Sequence, residues 1–141
     1  VIIWAVYRHD IQNIEKEIAN VYGKTSVASY YGDTKDDIRQ SIVDDFMDSN
    51  SDLRFFIGNP KTGGYGLTLT CSHTVVYYSN DYSLEVRMQS EDRAHRIGQK
   101  NPVLYIDLVA KKTVDEKIIQ ALRNKVNIAK EISGEELSKW I

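Results

Sequence analysis

Five short apolar runs, each followed by a longer polar or amphipathic stretch, constrain the fold of this chain more than any other feature of its sequence. The runs are rich in β-branched and aromatic residues and occupy residues 1–6, 26–31, 53–58, 74–79 and 103–110. The stretches between them predict helices over 9–22, 35–48, 83–97 and 114–132, with a short turn near 64–70. Strands that are apolar on both faces and separated by helices are typical of a parallel sheet covered on both sides. The pattern therefore predicts an α/β domain.

Polar residues near two of the predicted helices indicate where those helices begin. Thr34 lies three residues before Asp37 and is expected to cap the second helix, and Thr113 and Glu116 have the spacing of a capping box. The last long helix carries an apolar stripe of Ile118, Leu122, Ala129 and Ile132, and a further short helix is expected from Ser133. We expect residues 1–141 to form one domain, with 113–141 as its C-terminal helices.

Charge and composition exclude several classes of protein. The 18 Lys and Arg residues nearly balance the 20 Asp and Glu residues, which excludes a polybasic protein whose whole surface binds nucleic acid. Residues 87–130 nevertheless hold 10 basic and 5 acidic residues, so a local basic region is expected there. The single cysteine, Cys71, fits a reducing compartment, and no apolar run approaches the ~20 residues that span a membrane. The three histidines have no partner at metal-ligand spacing, so no zinc site is expected.

A glycine-rich loop follows the third predicted strand, running from Gly58 to Gly66. At the carboxyl end of a parallel strand, backbone N–H groups of such a loop can approach a phosphate. Gly58 and Gly63 have the spacing of a Gly-x4-Gly-Lys-Ser/Thr loop, but Gly64 stands where the lysine is needed. The loop therefore fails as a nucleotide site on its own. It is either a tight surface turn or a contact to a phosphate of DNA or of a nucleotide held elsewhere.

The predicted third helix, over 83–97, carries Gln89, Arg93 and Arg96 at positions i, i+4 and i+7, and Gly98 is expected to end it. Two guanidinium groups and an amide on one helix face would form a donor array suited to phosphate oxygens. The alternative is a solvated face on which Glu91 and Asp92 pair with their neighbours. These residues alone leave both interpretations open, and for His95 a packing or surface role is expected.

The string Gln-Ser-Glu-Asp-Arg-Ala-His-Arg-Ile-Gly-Gln at 89–99 closely resembles motif VI of the Swi/Snf-type ATPases, a branch of the superfamily-two helicases. Residues 63–70 look like motif V, and 74–82 look like the strand and loop that follow it. Tyr31 to Thr34, with Arg39 and Phe46, is similar to the end of motif IV, and 103–118 is similar to the last strand and helix of the family. The motifs occur in the family order over roughly residues 1–125.

The resemblance implies the second lobe of a two-lobed motor. Such a lobe is a RecA-like three-layer α/β/α sandwich with a mainly parallel sheet, a P-loop NTPase fold without its own P-loop. ATP and Mg²⁺ would be bound mainly by the first lobe, so this fragment alone is expected to be inactive. Arg96 would be the arginine finger, with Arg93 and Gln89 as further catalytic residues. The implied ATP-binding residues are Gly64, Gly66, Asp92, Arg93 and Arg96, with Asp92 holding the arginines in place.

The same resemblance implies contacts to the phosphate backbone of double-stranded DNA without base reading. The implied DNA-binding residues are Thr34, Lys61, Thr62 and Gly63. Pro60 departs from the family pattern and has no N–H to donate, so Thr62 is expected to take over that contact.

The lobe has no room for the long insertion of eukaryotic remodellers, so a bacterial or phage protein in the cytoplasm is expected. The chain also opens at Val1, and we interpret it as part of a longer polypeptide whose first lobe is a partner. A non-catalytic nucleic-acid-binding module with the same fold is the alternative. The second lobe of an RNA helicase is disfavoured, since those usually read His-Arg-x-Gly-Arg in motif VI.

Overall fold

The computed structural model describes residues 1–32, 34–62 and 67–133, with side chains as far as Ile128. The strands are β1 (Ile2–Trp4), β2 (Val27–Tyr30), β3 (Phe55–Gly58), β4 (Thr74–Tyr77) and β5 (Leu104–Asp107). The helices are α1 (Arg8–Tyr22), α2 (Asp36–Met47), α3 (Leu84–Glu91) and α4 (Val114–Ser133), with a 3₁₀ turn at Lys24–Ser26. The five predicted strands and the four helices predicted up to residue 132 are therefore present, although α3 is much shorter than predicted.

The five strands form one sheet in the order β2-β3-β1-β4-β5, and every neighbouring pair is parallel. The central strand β1 pairs on one side with β3, where Ile2 lies opposite Phe56, and on the other side with β4, where Ile2 lies opposite Val75. This confirms the parallel α/β sheet that the alternation of strands and helices predicted.

Helices cover both faces of the sheet because side chains alternate along each strand. On β1, Ile2 and Trp4 join the core cluster that contains Phe46 of α2, whereas Ile3 and Ala5 pack in the cluster that contains Ile11 of α1. The protein therefore has helix, sheet and helix layers, with two hydrophobic cores on opposite faces of the sheet.

Helix α4 packs against α3 through a third cluster, in which Ile118, Ile119 and Leu122 contact Leu84. The predicted apolar stripe on α4 is thus confirmed at Ile118 and Leu122. The side chains of Ala129 and Ile132, and the further helix expected after Ser133, lie outside the described residues.

One of the two predicted helix caps is correct. At the start of α4 the backbone N–H of Asp115 donates to Thr113 Oγ1 at 3.2 Å. Helix α2 instead begins after Lys35 with no side-chain cap, so the prediction for Thr34 is wrong. The Thr34 hydroxyl is used within the preceding turn, where it accepts from the N–H of Tyr31 at 3.1 Å and donates to Ser29 O at 3.2 Å.

Candidate functional site

The carboxyl ends of β1, β3 and β4 meet at one edge of the sheet, the edge at which open α/β sheets bind ligands. Three hydrogen bonds join the segments that leave these strands: Ala5 N–H to Gly58 O at 3.0 Å, Tyr78 N–H to Trp4 O at 2.9 Å, and Asn59 Nδ2 to Val6 O at 2.8 Å. The start of the glycine loop and the segment after β4 are therefore both bonded to the segment that leaves β1. Arg93 and Arg96 follow α3 in the chain.

Helix α3 ends at Glu91, six residues before its predicted end, so Gln89, Arg93 and Arg96 do not project from one helix face. Beyond Glu91 the N–H groups of Ala94 and His95 both donate to Glu91 O, at 3.1 and 2.9 Å. The carbonyl of Arg93 accepts from the N–H of Leu69 at 2.8 Å and makes no helical bond. Gly98 has φ 107° and lies in a turn, so the prediction that it ends the helix is also wrong.

Arg93 is buried, with only 6% of its surface exposed. Its Nη2 donates to Pro60 O at 3.1 Å, and its guanidinium lies 5.0 Å from the centre of the Trp4 ring. Its Nη1 is buried without a hydrogen-bond partner, and no described carboxylate forms an ion pair with it. Burial lowers the pKa of Arg93 below the ordinary arginine value. A buried cation with an unused donor is suited to an anion arriving from outside the domain.

Arg96 lies at the surface, and its Nη1 donates to Thr68 Oγ1 at 3.2 Å. Gln89 is also exposed, and its amide donates to Glu85 Oε1 at 3.0 Å on the outer face of α3. Asp92 is exposed and forms no ion pair with Arg93 or Arg96, so the expected role in holding the two arginines falls to other groups. The structure thus brings the two arginines near the glycine loop but separates Gln89 from that hydrogen-bonded network.

The start of the glycine loop is held by Asn59. Its Oδ1 accepts from the N–H of Lys61 at 2.8 Å, and its backbone carbonyl accepts from the N–H of Thr62 at 2.9 Å. The ammonium of Lys61 pairs with Asp81 Oδ2 at 2.6 Å, and Lys61 hydrogen-bonding lowers the pKa of that carboxyl below its usual value. The implied phosphate contacts at Gly63, Gly64 and Gly66 lie outside the described residues.

A buried charge cluster around Arg87 lies beside this edge, and the sequence reasoning missed it. Arg87 is 4% exposed and its guanidinium stacks 3.6 Å from the centre of the Tyr77 ring. It donates to Glu91 Oε1 at 2.5 Å, to Asp107 Oδ1 at 2.5 Å and to Asn80 Oδ1 at 2.9 Å. The cluster therefore joins the last turn of α3 to the carboxyl ends of β4 and β5.

Glu91 is almost as buried as Arg87, at 2% exposed, and burial raises its pKa despite the neighbouring guanidinium. One signal in the sequence could have located this pair, since Arg87 and Glu91 stand at i and i+4 on a helix. The partner Asp107 is 20 residues away along the chain, and no local pattern predicts that contact.

Within the described part of the chain, no group of three or more His, Cys, Asp or Glu residues is arranged to hold a metal ion. None of its helices combines the length and apolar character that crossing a membrane requires.

Comparison with known proteins decides the family. Residues 1–98 match the helicase conserved C-terminal domain, which is most of the chain. The chain belongs to this family. As a helicase C-terminal domain it has the expected RecA-like fold, since it superimposes on the crystal structure of the C-terminal part of the Fun30 ATPase domain with a TM-score of 0.77. That match covers 86% of this chain and 38% of the other, at 27% sequence identity.

Curated relatives of this helicase C-terminal domain are much longer proteins. It is 36% identical over 115 residues to the ATP-dependent helicase fft1 of Schizosaccharomyces pombe, which is 74% of this chain and 12% of that protein. It is also 36% identical over 108 residues to the chromatin-remodeling ATPase INO80 of Homo sapiens, which is 77% of this chain and 7% of that protein. The domain is thus homologous to the C-terminal lobe of Swi/Snf-type ATPases.

Proposed function

We propose that this domain is the second motor lobe of an ATP-dependent DNA translocase or helicase, which supplies Arg93 and Arg96 to ATP held by the first lobe of the same polypeptide. The observation that carries the proposal is the pair of arginines beside the glycine loop, neither of them in an ion pair with a described carboxylate. ATP hydrolysis supplies the free energy for movement along DNA. Mg²⁺ would accompany ATP, bound mainly by the first lobe.

The two arginines have different tasks in this proposal. Arg96 is exposed, and within the described part of the chain its guanidinium bonds to Thr68 alone, so its remaining N–H groups can reach an anion on the facing lobe. Charge that develops on the transferred phosphoryl group would be stabilised there, as by an arginine finger. Arg93 is buried, and its unused Nη1 fits an anionic partner at the same edge. Because this domain lacks a P-loop of its own, we expect no hydrolysis by the isolated chain.

Contacts to the DNA backbone would come from the segments at the start of the glycine loop and before α2. Lys61 is half-exposed and stands between Asp81 and solvent, and the N–H groups of Lys61 and Thr62 are both occupied by Asn59. We therefore assign the Lys61 ammonium and the Thr62 side chain, with Thr34 and Gly63, to the phosphates. Such contacts supply affinity without sequence preference.

The compact lobe also leads us to propose a bacterial or phage protein that acts in the cytoplasm. No connection between its strands and helices exceeds the 15 residues that separate β3 from β4, and β4 and α3 are only six residues apart. The long insertion of eukaryotic remodellers has no place in such a lobe.

Substitution of Arg96 tests the motor assignment. In the full-length protein Arg96→Ala should lower DNA-stimulated ATP hydrolysis by about 10³-fold or more, because a finger arginine contributes ~10³–10⁵ to the rate. ATP affinity should stay close to that of the unchanged protein. Arg123→Ala, which removes an exposed arginine on α4, is the matched control and should leave the rate unchanged.

Turnover retained by Arg96→Ala would overturn the finger assignment. A non-catalytic nucleic-acid-binding module that keeps the helicase fold would give a different result. Substitutions of Arg93 and Arg96 would then leave nucleotide turnover unchanged, and the Arg96→Ala variant would bind DNA normally.

A further inference from the structure

The segment from Asp92 to Gln99, which we call the arginine segment, carries Arg93 and Arg96 without regular secondary structure. Its conformation is therefore set by contacts to other parts of the chain. One such contact is the backbone bond from Leu69 N–H to Arg93 O at 2.8 Å, and another is the side-chain bond from Arg96 to Thr68. Both join the arginine segment to the residues that follow the glycine loop.

A third contact is made by the side-chain amide of Gln99. Its Nε2 donates to Ser72 O at 2.9 Å, to Thr70 O at 3.2 Å and to Ala94 O at 3.2 Å. Its Oε1 accepts from the N–H of Asn101 at 3.0 Å. Since the amide nitrogen carries only two hydrogens, one of its two N–H groups is shared between two of these carbonyls. Both polar atoms of this side chain are thus engaged by backbone.

The contacts of Gln99 close a ring around Arg96. The N–H of Gln99 donates to Arg96 O at 2.9 Å, in a turn whose third residue, Gly98, has φ 107°. Its side chain returns to Ala94 O, two residues before Arg96. Arg96 therefore lies inside a loop of six residues, from Ala94 to Gln99, which the Gln99 amide both closes and joins to the turn that leads into β4.

We infer that Gln99 is a positioning residue for hydrolysis, which holds the backbone at Arg96 in the geometry that presents its guanidinium to ATP. The inference rests on the proposed function, since it assigns Gln99 an effect that passes through Arg96. Three carbonyls and one N–H from two separate segments converge on this side chain. Without its N–H donors, the arginine segment would lose its bonds to Thr70 and Ser72, and the turn at Arg96 would be free to shift.

The substitution Gln99→Glu tests this role because it preserves shape and removes the donors. In the full-length protein we expect the kcat of DNA-stimulated ATP hydrolysis to fall about 10²-fold, which is the effect of a small misplacement of a reacting group. The KM for ATP should stay within about twofold. If Gln99→Glu folds poorly, Gln99→Met, which is of similar length and uncharged, should likewise lower kcat and leave KM nearly unchanged.

A second measurement separates positioning from general support of the fold. The affinity for ADP with aluminium fluoride, a mimic of the transferred phosphoryl group, should fall with kcat, whereas the affinity for ADP alone should not change. If Gln99 served the fold alone, its substitution would lower both apparent affinities, because a smaller fraction of the protein would be folded. Gln120→Glu, the same change at an exposed position of α4, is the matched control and should leave both affinities unchanged.

Coupling to Arg96 decides whether Gln99 acts through that arginine. With Arg96→Lys as the second substitution, the combined loss of kcat should be clearly smaller than the product of the two single losses. A combined loss equal to that product, or an unchanged kcat in both Gln99 variants, would overturn the inference. If Arg96→Ala abolishes turnover while the Gln99 variants keep it, only this inference fails. If Arg96→Ala keeps turnover, the proposed function itself fails.

Discussion

Arg93 and Arg96 stand three positions apart but lie in opposite environments. Arg93 is buried over the Trp4 ring and bonds to Pro60 O, whereas Arg96 reaches the surface beside Thr68. A buried cation without a carboxylate is costly, and an approaching anion offsets part of that cost. We therefore expect Arg93 to be a fixed inner contact and Arg96 an outer one that engages when the lobes close.

Lys61 is the residue through which the DNA contact can be tested. We expect Lys61→Ala to weaken DNA binding by the full-length protein to a similar extent for different sequences, because a phosphate contact carries no sequence information. The slope of log affinity against log salt concentration should decrease by about 1, as for loss of one phosphate contact. An unchanged slope, or a loss confined to one DNA sequence, would contradict the assignment. Lys24→Ala, at an exposed lysine after α1, is the control.

The ion pair between Lys61 and Asp81 makes the free energy of unfolding depend on pH. The pKa of Asp81 is lowered in the folded protein, chiefly by hydrogen bonding to Lys61. Its contribution to stability is therefore present above its ordinary pKa of 3.8 and is lost as pH falls through the lower folded value. Asp81→Asn should remove this contribution, about 1 kcal/mol or less for a partly exposed pair. Free energies of unfolding measured from pH 2 to 7 should then converge for the two proteins at the acid end; a constant difference would contradict this account.

At the scale of elements, α3 shows where sequence patterns stop being informative. The spacing of apolar and polar residues predicted a helix over 83–97, and nothing local at Asp92 forbids its continuation. The helix ends at Glu91 because Leu69 donates to Arg93 O and because Arg93 turns inward to Pro60. Both partners lie more than 20 residues earlier in the chain, so tertiary contacts override the local preference.

The Arg87 cluster is the element-scale feature with the largest expected effect on stability. Arg87→Met should lower the free energy of unfolding by about 3–5 kcal/mol, because it leaves the carboxylates of Glu91 and Asp107 without their cation. Denaturant unfolding measures the loss.

The double variant Arg87→Met/Glu91→Gln provides the matched comparison. It should recover part of the loss, since the side chain most deeply buried beside Arg87 then carries no charge. If Arg87→Met cost less than 1 kcal/mol, or if the double variant were no more stable than the single one, the cluster would not join α3 to β4 and β5 as described.

At the scale of the whole molecule, the sequence was sufficient to predict the parallel sheet and the two covered faces. Runs such as 74–79, apolar at successive positions, suit only a strand buried on both sides. The order of the strands and the contacts of Arg87 and Gln99 depend on residues brought together from distant positions. Gln99, for example, reaches carbonyls that lie 27 and 29 residues away. Such long-range contacts leave no local pattern in the sequence.

The sequence was sufficient to name the residues of the candidate site but not to predict how they are arranged. The string at 89–99 singled out Arg93 and Arg96 as candidate site residues, and the structure places Arg93 against Pro60 and Arg96 against Thr68. The prediction that they project from one helix face was wrong. The residues that hold them, Pro60 and Thr68, carry no signal of that role in the sequence. We therefore propose that the domain holds a preformed half of a site, whose other half belongs to the first lobe.

The central claim, that this domain contributes a group to the chemistry of ATP held elsewhere, is tested most directly by a single turnover. ATP is bound in saturating amount to the full-length protein and its Arg96→Ala variant, and cleavage is followed after DNA is added. We expect that ATP binding is unchanged and that the rate constant of cleavage falls by about 10³-fold or more. An unchanged rate constant, or a loss confined to the amount of ATP bound, would contradict it.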